Sequence, residues 1–417
     1  MQTKLTVLTS LILLTACANL PTLPNLNPFQ RNRNPDEEII HLHMLGWPRS
    51  ENEDAQLRAV LNTFSQLNPT IQVSLTLTAD YQATLTGLFQ EQQPPDIFYV
   101  DGFAFPQLHA ENRLAPYAGQ ANQSSEQISD FYAVLLDGFR RNNIFYCLPH
   151  EFRTLVLIYN RDLYKTAGLS PPPFDHTEMW TWDDLRNAAE LLSDIPNVHY
   201  TQYGMALDAD MSRWLPFFYQ AGGQLYDEQT GDLLLNSPEG LSALDFYVGL
   251  LDEGFAIQPA EDSSVWAGEA FGNERVGMVM EGNWIVPYLV ERYPDVNYGV
   301  GLLPSGVAGR GTVAFSSCYG VSEQSIHKAA AFAVVDWLLQ SENMLATQDL
   351  QAVIPGRQSL ADAWLTENFG LGPFLDSIVD AQVWQIPVSP RPGRTQGGAQ
   401  LVGAFNRQLQ GVIDGDE

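Results

Sequence analysis

Positive charge is scarce in this chain. Its 417 residues hold 21 Lys and Arg against 49 Asp and Glu, a formal net charge of −28 at pH 7. So acidic a surface repels phosphate backbones and anionic lipid headgroups, which argues against nucleic-acid binding and broad membrane docking. Histidine is limited to seven residues. His41 and His43 share one strand face by spacing, but no third ligand lies near, so no metal is expected. There is no Gly-rich phosphate loop followed by Lys-Ser or Lys-Thr, and no Gly-x-Ser-x-Gly elbow, so phosphoryl-transfer and serine-hydrolase signatures are missing. No cofactor is expected either. No short internal repeat occurs. The N-terminal apolar run, Leu5 to Leu14, is too short for a bilayer, which needs ~20 apolar residues.

The N-terminus nevertheless carries a message. Met1-Gln-Thr-Lys4 precedes that run, and Leu14-Thr-Ala-Cys17 closes it. The pattern resembles a bacterial lipoprotein signal, with residues 1–16 removed and Cys17 lipidated. An ordinary secretory signal is the plainer alternative; both send the mature chain out of the cytoplasm. Residues 17–38 hold four prolines and five asparagines after the cysteine and read as a tether. Cys147 and Cys318 remain; whether they pair or stay as buried thiols is left open. The rest is globular in composition, 45% hydrophobic and 17% charged, and long enough for two domains at ~100–200 residues each.

Hydrophobic periodicity sets a βαβαβ rhythm at the start. Ile39–Leu45, Ile71–Leu77 and Pro94–Val100 read as strands. Between the first two lies a helix opened by the capping box Ser50…Glu53, with Leu57, Val60, Leu61 and Phe64 on one face. This predicts a parallel sheet covered by helices, with ligand beyond the strands' carboxyl ends, near Trp47 and Asp101. Farther on, Phe145–Asn160 reads as a long strand bent or interrupted at Pro149, its half Leu155–Tyr159 wholly apolar and so buried on both faces. Asn160-Arg-Asp-Leu-Tyr-Lys-Thr-Ala-Gly168 follows. The capping box Thr181-Trp-Asp-Asp184 then opens a helix.

The run Leu157-Ile-Tyr-Asn-Arg-Asp-Leu-Tyr-Lys-Thr-Ala-Gly-Leu169 followed by Thr181-Trp-Asp-Asp-Leu185 resembles the family 1 extracellular solute-binding proteins, the sugar-binding components of ABC importers. Phe217–Gly223, Val276–Trp284 and Tyr298–Ser305 extend the likeness over about residues 39–412. The resemblance implies an α/β, two-lobe fold of the type II periplasmic-binding kind. Each lobe is then a mixed, mainly parallel sheet flanked by helices, joined to the other by a multi-strand hinge. One lobe is expected from 39–150 plus 320–365, the other from 151–318 plus 366–412. Phe145–Asn160 and Thr312–Val321 are expected as crossing strands, so a Cys147–Cys318 bridge across the hinge is one geometry to test. A carbohydrate ligand, ABC permease subunits as partners, a lipid-anchored extracytoplasmic location and a monomeric state are implied, with no nucleic acid and no chemical step.

Nine Trp, 16 Tyr and 21 Phe suit that reading. An indole stacks on the C–H face of a sugar while acids, amides and arginine meet its hydroxyl rim. Trp47, Trp214 and Trp284 each fall beside a glycine, a loop or a helix start; Trp384 is a weaker candidate. The polar candidates are Arg49, Asp101, Glu151, Ser316 and Arg394, with Arg153 and Glu281 behind them. Asp101 and Glu151 also admit a carbohydrate-active enzyme with paired carboxylates. A binding protein that only senses is a further alternative.

Overall fold

The computed structural model describes residues 38–117, 128–193, 202–227, 232–386, 388 and 398–415. The chain opens as expected. Strand β1 (Ile40–Gly46) is followed by helix α1 (Glu51–Leu67). The Ser50 hydroxyl accepts the Glu53 N–H and the Glu53 carboxylate takes the Ser50 N–H, a closed capping box. Leu57, Val60, Leu61 and Phe64 form the buried face of α1. Next come β2 (Ile71–Leu77), α2 (Tyr81–Gln90) and β3 (Ile97–Asp101). Both β2 and β3 pair with β1 in parallel.

The long strand of the sequence reading divides. β4 (Pro149–Thr154) starts at the proline, where a missing N–H costs no ladder bond, and the facing strand bulges opposite it. β5 (Val156–Asn160) follows after one residue, Leu155. Thr154 pairs in one sheet and Val156 in another. The next elements are α3 (Trp182–Ser193), β6 (Tyr203–Ala206), α4 (Met211–Gln220), α5 (Pro238–Asp252), β7 (Ala256–Ile257), β8 (Val276–Glu281), α6 (Ile285–Arg292) and β9 (Tyr298–Gly301). Then come β10 (Thr312–Val321), β11 (Ile354–Pro355), β12 (Ala381–Val383) and the last helix, α7 (Gly398–Ile413).

Two mixed sheets result. The first runs β11-β4-β10-β3-β1-β2, with β12 also beside β10; the second runs β9-β5-β8-β6-β7. Among the described residues the chain passes between them at Leu155 and again through residues 302–311. Thr312–Val321, expected as the second crossing strand, lies in the first sheet along its whole length. Its opening residues are held by β12 and its middle by β4, so the crossing falls in the segment before it. Leu155 fastens the first passage: its N–H reaches Val313 O at 3.1 Å and its carbonyl accepts from Thr312 Oγ1 at 2.6 Å.

Each sheet has its own apolar core, and a third cluster joins them. That cluster includes Phe152, Ala314 and Ile354 from the first sheet, Ile158, Val279 and Val300 from the second, and Trp364 and Phe374 from the connecting helices. Each such side chain adds ~1.5–3 kcal/mol of burial, so the region behind the passages has an apolar core of its own. Cys147 and Cys318 do form a disulfide, with Cα atoms 5.8 Å apart. Both lie in the core of the first sheet, so the bridge ties β10 to the segment before β4 within one lobe. Among the described residues no helix is long and apolar enough to cross a membrane.

Candidate functional site

Beside β4 and β10 the first lobe assembles a buried charge network. Arg49, in the loop after β1, lies 2.9 Å from Glu151 and 3.3 Å from Glu53, and its Nη2 is 2.8 Å from His150 Nε2. Arg153 reaches Glu151 from the other side at 3.1 Å. Ser317 Oγ donates to the Glu151 carboxylate at 2.8 Å, and Ser316 Oγ to its backbone carbonyl at 2.7 Å. Burial alone would push the Glu151 carboxyl up. Arg153 and Arg49 overcome it and hold it well below the usual carboxylate range. Burial also pulls His150 down to about 3, so this ring is neutral; it stacks on Tyr319 at 4.4 Å. Arg49, Glu151 and Ser316, all singled out from sequence, therefore share one network.

The second lobe supplies a smaller cluster where β8 ends. Glu281 is fully buried, and its Oε2 accepts from Arg213 Nη2 at 2.8 Å and from the Trp284 indole N–H at 2.9 Å. Burial pushes the Glu281 carboxyl up, with Arg213 pulling against it. The Arg213 guanidinium stands 5.5 Å from the centre of the Trp284 ring. Trp284 is fixed by its own N–H and presents a partly exposed ring. That ring meets Phe315 of β10 edge-on at 5.3 Å; Phe315 is 6.4 Å from Trp384, which stacks on Phe103 at 5.5 Å. These four rings come from both sheets and each is partly exposed. Phe103, Phe315 and Arg213 escaped the sequence reading. Phe315 sits in a strand pattern that looks like core, and only its register against Arg153 turns it towards Trp284.

The other candidates take different places. Trp47 is half-buried, edge-on against Tyr81 at 5.1 Å and Tyr99 at 4.7 Å. Asp101 ends β3 and its carboxylate accepts the Ala104 N–H at 2.6 Å, so it turns the chain there; burial pushes its carboxyl up. Trp214 is 2% exposed, stacked on Phe218 at 5.0 Å and tilted against Phe405 at 4.9 Å. Its α4 register, one residue past Arg213, turns the indole into the core while the arginine faces Glu281. Cys17 and Arg394 lie outside the described residues. His43 bonds Thr76 at 3.1 Å.

With this geometry in hand the chain can be set beside known proteins. The family model described as bacterial extracellular solute-binding protein matches residues 48–345. The chain belongs to that family. A binding protein of Brucella abortus (strain 2308) is 26% identical over 255 residues, 59% of this chain and 58% of that protein. The sn-glycerol-3-phosphate-binding periplasmic protein of Escherichia coli K12 is 25% identical over 274 residues, 62% and 60%. The aligned part thus spans about three-fifths of the length of these curated relatives. An ABC substrate-binding protein of Listeria monocytogenes, solved in complex with cycloalternan, superposes with a TM-score of 0.74 at 22% identity, covering 91% of this chain and 95% of that one. As a bacterial extracellular solute-binding protein, the chain acts outside the cytoplasm and has the two-lobe fold of its neighbours.

Proposed function

We propose that this solute-binding protein is the ligand-capturing component of an ABC importer. Its ligand is a mono- or oligosaccharide or a related polyol or glycoside. The observation that carries this reading is the row Trp284–Phe315–Trp384–Phe103, partly exposed where the two sheets meet and flanked by paired acids and arginines. Rings stack on a sugar's C–H faces, and polar groups whose charges are already balanced meet its hydroxyls without demanding a counter-ion. The cycloalternan named for the Listeria neighbour supports the same ligand class.

In this reading Trp284 supplies the stacking face. Arg49, Glu151 and Ser316 set the hydroxyl pattern from the first lobe. Trp47, Asp101 and Arg394 complete the set, and Trp214 serves as packing beneath it. The first passage between the lobes falls at Leu155 and the second in the segment before β10. Ligand bridging both lobes makes a closed form dominant, and that form meets the permease. Lipid on Cys17 keeps the monomer at the membrane. Calorimetric titration with a panel of neutral saccharides is expected to reveal a micromolar or tighter ligand and no new reducing ends. Absence of binding across the panel sinks the proposal; turnover replaces it with a carbohydrate-active enzyme.

A further inference from the structure

A cavity of about 600 Å³ opens where β6 and β7 end. Those strands run parallel to β8, so their carboxyl ends point the same way as Glu281 and Trp284. Asp208, Asp210, Arg213, Gln258, Trp266 and Gln410 are among its lining residues. Arg213 also touches Trp284 and Glu281, which makes the cavity an annex of the ring row.

Its charges are arranged against anions. Among the described lining residues Arg213 is the one cation, and it is already engaged: 2.8 Å from Glu281 and 3.7 Å from Asp210. With Glu281 counted, two carboxylates pair with this guanidinium and Asp208 acts on it electrostatically. The positive end of α4, which otherwise attracts anions, is filled by the chain itself, because Asp210 accepts the Ser212 N–H at 2.8 Å. Asp208 is partly buried and has no cation at ion-pair distance among the described residues. Burial pushes its carboxyl up, Arg213 opposing. Glu281 Oε1 is buried without a hydrogen-bond partner among the described residues. Trp266 also lines the cavity, and an indole attracts cations over its face.

We propose that this cavity receives a positively charged group of the ligand, so the guest is an amino sugar or a glycoside bearing a protonated amine. Asp208 supplies the counter-charge, Trp266 the aromatic wall, and phosphate esters and uronic acids are turned away. This rests on the saccharide reading above and narrows it. It also separates the chain from its glycerol-phosphate-binding relative, whose ligand carries the opposite charge.

Matched sets test it: glucose, galactose and mannose units, as monosaccharides and short oligomers, each in hydroxyl, 2-amino and 6-phosphate forms. They are titrated calorimetrically at pH 6 and low salt. Within the sets that bind, the amine form is expected to be about tenfold tighter than the hydroxyl form, a difference of ~1.4 kcal/mol, and the phosphate form is expected not to bind. Asp208→Asn should abolish the amine preference, with thermal melting confirming that it folds. Gln410→Glu, at the rim, should enlarge the preference. Neutral and amine forms binding alike, phosphate forms binding best, or an unchanged preference in Asp208→Asn overturns this proposal while leaving the saccharide site standing. Silence from every set overturns both.

Discussion

At the scale of single residues, the two lobes spend their charges differently. In the first lobe Glu151 has two arginines and a serine, so it stays ionised although it is buried. Arg49→Ala would leave one of its cations missing in a site with almost no water. Breaking a buried pair of this kind costs about 3 kcal/mol, which a drop in the urea midpoint would reveal. In the second lobe Trp284 is partly exposed and held by one N–H bond to Glu281. Trp284→Ala removes the stacking face but little core, so saccharide affinity should fall at least about tenfold while Tm moves by only a few degrees. A large fall in Tm with unchanged affinity would return Trp284 to the core.

At the scale of elements, close approaches decide more than propensity does. β6 passes under α3 at Gly204, where an added Cβ would lie 2.2 Å from the carbonyl oxygen of Ala189. The obstacle is backbone, which cannot swing aside, so Gly204→Ala should destabilise by more than ~1–3 kcal/mol, the usual cost of overpacking. Unfolding should then occur at lower denaturant, with the second lobe melting first in hydrogen exchange. The disulfide belongs to the other lobe. It closes a chain separation of 171 residues, and a bridge of this kind contributes about 2–4 kcal/mol, mainly by restricting the unfolded chain. Reduction should therefore lower Tm and leave lobe closure free, because Cys147 and Cys318 share one lobe. Loss of ligand-induced closure on reduction would place the bridge in the hinge after all.

At the scale of the whole molecule, acid should loosen the fold at His150. Its ordinary value is 6.5, and burial holds it near 3 in the native state, with Glu151 opposing and Arg49 and Arg153 assisting. Between those values the unfolded chain binds the extra proton, so native stability falls as pH drops through that window. The stability advantage of wild type over His150→Gln should shrink by ~1 kcal/mol per pH unit below about 6.5. A difference independent of pH would show that His150 titrates normally. Much of this organisation was legible beforehand. The βαβαβ opening, the Ser50 capping box and the apolar run after Leu155 are local patterns, and short-range sterics and burial are enough to set them. Arg49, Glu151 and Ser316 were legible as separate polar candidates, and their meeting in one network came from the tertiary structure. Composition and chain order thus determined the fold class, the acidic character and the aromatic supply. The tertiary structure alone decided that Cys147 meets Cys318, that Phe315 faces Trp284, that Trp214 packs inwards while Arg213 turns towards Glu281, and that Asp208 and Arg213 border one cavity. Each of these depends on strand register and on which helix crosses which sheet, and those are set by packing between residues far apart in the chain.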